Sequence, residues 1–183
     1  MLYISKGTVM PNSTEQLLFI THCGKVFTLT ELEAAIWLDG SRDFSMTPYS
    51  REVEHLRRMG LIETEDNDSP LFRYRILTRY ICYPVESYTR IPLRWHASAV
   101  LTWLEKAGLR LSVAELVYLA EHRIAPAKSL LGVENRHKLV SLIYMTNSIQ
   151  DNLLEQQMKN AAYRDHVVNM LLYLLRCKRL VLV

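Results

Sequence analysis

Apolar positions change their spacing several times along this chain, and each change marks an element. From Leu2 to Met10 and from Gln16 to Thr28 they come in short β-favouring runs, punctuated by Pro11-Asn12-Ser13 and Cys23-Gly24-Lys25. That pattern predicts strands joined by turns. The spacing then becomes helical. Thr30-x-x-Glu33 is a capping box, in which hydroxyl and carboxylate each satisfy a free N–H of a first helical turn. Leu32, Ala35 and Ile36 follow, and Asp39-Gly40 stops the helix. A second helix is predicted from Pro48, with Tyr49, Val53 and Leu56 on one face and a stop at Gly60. Leu61-Ile62 opens a strand, and Asp66-Asn67-Asp68-Ser69-Pro70 reads as a turn. Leu71-Phe72-Arg73-Tyr74-Arg75-Ile76-Leu77 alternates, which predicts the returning strand of a hairpin.

Pro84 and Pro92 bracket a stretch without periodicity, where a domain boundary is expected. Trp95 to Lys106 is predicted helical, ended by Gly108. Ser112-x-x-Glu115 is a second capping box, opening a helix to about Arg123, and Pro126 breaks the chain. Helices are predicted over Glu134 to Tyr144, with Leu139, Leu142 and Ile143 clustered, and over Asp151 to Lys159. The strongest helical stripe is Val167, Met170, Leu171, Leu174 and Leu175, within Tyr163 to Arg176. Leu180 to Val183 reads as a terminal strand.

One outline occurs twice. Leu29-Thr30-Glu31-Leu32-Glu33 opens a helix, and Leu56-Arg57-Arg58-Met59-Gly60-Leu61-Ile62 carries a basic helix end into a strand. Leu111-Ser112-Val113-Ala114-Glu115 and Leu175-Arg176-Cys177-Lys178-Arg179-Leu180-Val181 repeat both ends. This is the outline of a winged helix-turn-helix, with the hairpin after the second helix as its wing. The expected fold is α+β: two winged-helix-like domains, 1–87 and 92–183, joined by a helical linker, the C-terminal half mostly helical. The copies are unequal. Thr30 to Leu56 spans 26 positions and Ser112 to Leu175 spans 63, so the second copy holds an extra helix or begins near Glu134. In the first copy only Ser41 to Thr47 separates the helices, so the usual middle helix is missing or reduced to a turn.

The segment from Phe27 through Trp37 to Gly40 resembles the hairpin-then-helix signature of PqqD-like winged-helix domains. The likeness lies in a leucine before the cap, a Trp after an aliphatic residue and an Asp-Gly stop. Members of that group bind leader peptides of ribosomally made precursor peptides, so the resemblance implies a peptide partner. The whole outline also resembles winged-helix transcription regulators, which implies duplex DNA. The absent middle helix departs from both.

Charge and chemistry narrow this picture. The net charge of +3 is asymmetric: residues 1–89 carry 9 Lys+Arg against 12 Asp+Glu, and residues 90–183 carry 13 against 7. Phosphate contact is therefore favoured for the second half. In a winged helix the last helix enters the major groove and the wing touches backbone. The candidate DNA-binding residues are Arg51, His55, Arg57 and Arg58 on the second helix, Arg73 and Arg75 on the wing, and Arg164, Lys178 and Arg179 in the second copy. Opposing them, Glu63, Glu65, Asp66 and Asp68 crowd the wing tip. Arg51 is also spaced for pairing with Glu54 or His55, and Lys178-Arg179 sits where a helix dipole favours cations anyway.

No enzyme signature emerges. His22 and Cys23 adjoin, but the remaining histidines are scattered without metal-ligand spacing, and there is no phosphate loop or dinucleotide fingerprint. Cys23, Cys82 and Cys177 are far apart, fitting reduced thiols in a cytoplasm. No apolar run is long enough for a membrane span. The sequence therefore predicts a cytoplasmic, non-enzymatic winged-helix transcription regulator without cofactor, a homodimer binding double-stranded DNA. Its rival is a non-catalytic module binding a protein or peptide through the free sheet edge and the aromatic junction of Tyr80, Tyr83, Tyr88, Trp95 and Trp103.

Overall fold

The structure is a computed structural model of the 183-residue chain; it describes residues 1–14, 17–85, 95–107, 111–144, 154–156, 158 and 160–183, with the side chains of 95–97 excepted. The fold mixes helices and small sheets. Two compact units are present: Met1–Ile76 with Val181–Val183, and Leu77–Leu180. The expected boundary segment between Pro84 and Pro92, and most of the helix expected over 151–159, lie outside the described residues.

In the first unit β1 (Leu2–Ser5) is buried along its whole length. It is the centre of a three-stranded antiparallel sheet, flanked by β5 (Ser45–Met46) and β6 (Ile62–Glu65). A second sheet joins β2 (Thr8–Val9), β3 (Leu18–His22) and β4 (Lys25–Leu29) in that order. The β3–β4 turn is Cys23-Gly24, with φ of 49° and 75°. Two positive φ values suit a two-residue hairpin, because that turn's twist matches the strands'.

Helix α1 (Glu31–Asp39) begins at the predicted capping box: Thr30 N donates to Glu33 Oε2 at 2.9 Å and Glu33 N to Thr30 Oγ1 at 3.4 Å. Trp37 is buried, and its indole N–H donates to Lys6 O at 2.9 Å. Gly40 does close the helix, but its φ of −79° is an ordinary one. Glycine is required there by crowding instead, since a Cβ would lie 2.6 Å from the Tyr3 ring and 2.7 Å from Ser5 Oγ. Helix α2 (Arg51–Arg58) starts three residues later than expected. Ser50 is the cap, its hydroxyl accepting from Val53 N at 3.3 Å. Val53 and Leu56 are buried as predicted, whereas Tyr49 precedes the helix and is exposed. Gly60, at φ 73°, ends α2 with Leu61 N donating back to Leu56 O at 3.0 Å. These elements enclose a core of Tyr3, Leu18, Ile20, Leu29, Trp37, Val53, Leu56, Leu61 and Ile62.

The expected wing is overturned. Residues Pro70–Thr78 form helix α3, not a strand, and β6 pairs with β1, at Leu2↔Glu65 through Ser5↔Ile62. The alternation of 71–77 fits a strand, but the local signals that win are those of a helix. Pro70 is preset for a first turn, and Ser69 supplies the start, its Oγ accepting from Phe72 N at 3.3 Å and its carbonyl from Arg73 N at 3.0 Å. The buried residues Tyr74, Ile76, Leu77 and Tyr80 then recur at three- and four-residue spacing.

In the second unit β7 (Cys82–Pro84) is followed by α4 (Trp95–Lys106), α5 (Val113–Glu121), a 3₁₀ turn (Val133–Asn135), α6 (Arg136–Tyr144) and α7 (Ala161–Arg176). The second capping box forms: Ser112 N donates to Glu115 Oε2 at 2.9 Å and Glu115 N to Ser112 Oγ at 3.1 Å. Helices α4 and α5 both pack on α7. The α7 stripe is wider than expected, burying Val167, Val168, Leu171, Leu172, Leu174 and Leu175, with Met170 at its margin. β8 (Leu180–Leu182) carries the chain's last residues into the first unit, where Leu182 O accepts from Gly7 N at 2.8 Å. None of the described helices is long and apolar enough to cross a membrane.

Candidate functional site

Each capping box has a tertiary use that the motif alone does not reveal. In the first unit one Glu33 oxygen serves the Thr30 cap, and the other accepts a hydrogen bond from the His55 imidazole Nδ1 on α2. In the second, one Glu115 oxygen serves the Ser112 cap and the other accepts from the Arg136 guanidinium on α6 at 2.8 Å. Both carboxylates are buried, at 5% and 3% residue exposure. The separations are 22 residues for Glu33–His55 and 21 for Glu115–Arg136. Burial pushes the Glu33 carboxyl up, but the hydrogen bonds from His55 and Thr30, with the imidazole's charge, outweigh it and hold the group below the ordinary value of 4.5. The cation that meets the second cap therefore comes from α6 and not from α7, whose end the sequence repeat had matched to α2.

The candidate DNA-binding residues are dispersed by this arrangement. Arg51, His55, Arg57 and Arg58 share α2, but Arg57 and Arg58 both donate to Glu54, at 2.9 and 3.0 Å. That pairing holds the Glu54 carboxyl below its ordinary range, and His55 is turned to Glu33. Arg73 and Arg75 lie on α3 rather than on a wing strand. Arg73 donates twice to Asp68, at 2.6 and 2.7 Å, and its guanidinium stands 5.5 Å over the Phe44 ring. Arg75 is exposed. In the second unit Arg164 pairs with Asp165 at 2.9 Å and Arg179 with Glu105 at 3.6 Å. Lys178 is exposed at φ 55°. Most of these guanidiniums thus already meet carboxylates within their own unit.

A different surface of the first unit is left open. β4 ends the order β2-β3-β4, so only β3 pairs with it among the described residues. An edge strand directs alternate N–H and C=O groups outward. Val26 on this strand is 57% exposed. α1, which packs beside β4, exposes Leu32 (65%) and Leu38 (50%). Its sequence ELEAAIWLD is apolar nearly all round, although a surface helix normally keeps one polar face. Glu31, Glu33 and Asp39 make α1 negative, while α2 carries Arg51, Arg57 and Arg58 against Glu52 and Glu54. Sequence reading noted the free sheet edge but missed α1's outer row, which is legible as apolar residues on both faces of one short helix.

At the tip of the β3–β4 hairpin Cys23 Sγ lies 3.5 Å from His22 Nε2, both exposed to some degree. Among the described residues no three His, Cys, Asp or Glu side chains are grouped to hold a metal ion. Comparison with known family models, curated proteins and solved structures gives no match.

Proposed function

We propose that this chain is a non-catalytic interaction module, and that its first unit receives an extended peptide segment along the free side of β4. The observation that carries this reading is the conjunction of an edge strand with the exposed apolar residues Val26, Leu32 and Leu38. Main-chain hydrogen bonds to an edge supply affinity, and side-chain pockets or rows beside it supply selectivity. The net −3 of residues 1–89 suits a basic segment.

The test is selection of peptides from a random library on the full chain, then titration of the winners against Val26→Asp and Leu32→Asp. Both positions are exposed, so fold is retained. Affinity falls at least tenfold in each variant if the edge is the site. Winners that bind both variants as tightly as the parent chain refute it.

A second reading, a homodimeric DNA-binding transcription regulator in the cytoplasm, draws support from the net +6 of residues 90–183 and from the exposed His137, Lys138 and Lys178. Duplex DNA affinity would then fall steeply with salt. It would weaken on changing Arg51, Arg58, Arg164 and Arg179 to Ala. Anisotropy that is flat in both experiments excludes it.

A further inference from the structure

The second unit contains a cleft of about 1140 Å3 between α4, α5, the turn after α5 and the start of α7. Small-molecule sites are mostly apolar concavities of a few hundred to about 1,000 Å3 with few polar groups, and this cleft matches that description. Its floor is apolar: Trp103, Leu116, Leu119 and Val167 line it and are buried. Its walls are kept open by small residues, Ala99 on α4, Ala120 on α5 and Ala162 on α7.

Polar groups gather at one end. Arg123 follows α5 at φ 55°, where Ile124 N donates to Leu119 O at 2.9 Å, and is an exposed residue on the lining of the cleft. The first turn of the 16-residue α7 lines the same cleft through Asn160, Ala162 and Tyr163. The start of α7 is already capped, Ala162 N donating to Asn160 Oδ1 at 2.9 Å, so the charge at this end that favours an anion is the Arg123 guanidinium. Glu121 adjoins this end, its carboxylate held at the start of α7 by Asn160 N at 3.1 Å. His166 also lines the cleft.

We infer that this cleft binds an amphipathic monocarboxylate, its hydrocarbon chain along Trp103 and Leu116 and its carboxylate toward Arg123. The site belongs to the second unit alone, so it stands apart from the peptide edge of the first. Chain burial supplies affinity in proportion to the apolar area removed from water. A charge-assisted hydrogen bond to a guanidinium selects the acid over the corresponding alcohol.

The experiment titrates the full chain with 11-bromoundecanoic acid and with 11-bromoundecanol, following quenching of tryptophan fluorescence by the bromine. The acid is expected to quench saturably, with the Trp103→Phe variant losing most of the response. Arg123→Gln, at an exposed position, weakens the acid about tenfold and leaves the alcohol unchanged. Ala120→Phe fills the cleft and abolishes both, with circular dichroism checking that the helices persist. Absence of saturable quenching overturns the proposal, as does quenching that survives in Trp103→Phe. Equal affinity of acid and alcohol in the parent chain overturns the choice of ligand class. Because Arg123→Gln leaves the packed walls intact, its outcome stands even where Ala120→Phe unfolds the chain.

Discussion

The two capped helices α1 and α5 solve the same problem with different cations. Each has a Ser or Thr cap, a glutamate three residues on, nine helical residues, and a basic side chain from a later helix reaching the same glutamate. The Arg136 guanidinium is permanently charged and its side chain is 21% exposed; the His55 side chain is 58% exposed. The lesson is that a capping glutamate buried by tertiary packing needs a second donor for its other oxygen. How firmly that donor holds depends on whether it too is withdrawn from water.

The largest expected contrast follows from exposure. Arg136→Ala leaves the Glu115 carboxylate buried without its charge partner, which costs about 3–5 kcal/mol. Urea denaturation reads that loss directly. Cys82 of the same unit gives an independent readout, since burial pushes its thiol up to about 12. Alkylation of Cys82 should accelerate roughly a hundredfold or more in Arg136→Ala, a population effect of about tenfold per 1.4 kcal/mol. Exposed Cys23 serves as the unchanged control. A Cys82 rate that stays at its parent value would break the comparison.

Smaller, and equal in the two units, are the caps themselves. Thr30→Ala and Ser112→Ala should each cost about 1 kcal/mol, measured by the same denaturation. A large difference would mean that the two boxes carry unlike loads despite their matched geometry.

Smaller again is His55→Ala, at about 0.5–1 kcal/mol, because a half-exposed donor is screened by water. Its pH dependence has a definite sign. Glu33 lies below its ordinary value of 4.5 in the folded chain, so its contribution is present above that pH. It is lost as pH falls through the folded value. Glu33→Gln should therefore flatten part of the decline in stability on acidification below pH 4.5. An unchanged acid limb in that variant would remove Glu33 from the account. At the bottom of the scale, Glu54→Gln frees Arg57 and Arg58 on an exposed helix face and should leave the unfolding midpoint where it was.

Local grammar was the legible part of this fold. Both capping boxes, the Cys23-Gly24 hairpin, the α4 limits and the α7 stripe follow from residues within a few positions of one another, where hydroxyl geometry, φ and apolar spacing act directly. Segment 70–78 shows the limit of such reading. Its alternation satisfies a strand, yet Ser69 and Pro70 start a helix, and β6 pairs with the distant β1 instead. The candidate arginines show the same limit from the side of function. On a wing strand Arg73 would meet nucleic-acid backbone, but on helical α3 it turns to Asp68 and the Phe44 ring.

Both capping boxes, the tight Cys23-Gly24 turn and the buried stripe of α7 were legible from the residues alone, because those preferences are intrinsic to short stretches of backbone. Tertiary structure alone decided which strand lies beside β1, that Gly40 is needed for the Tyr3 ring rather than for its φ, and which cation meets each capping glutamate. It also left the β4 edge and the cleft beside Trp103 open. Those outcomes depend on which distant surfaces exclude water from one another, a property of the packed chain that no local window contains.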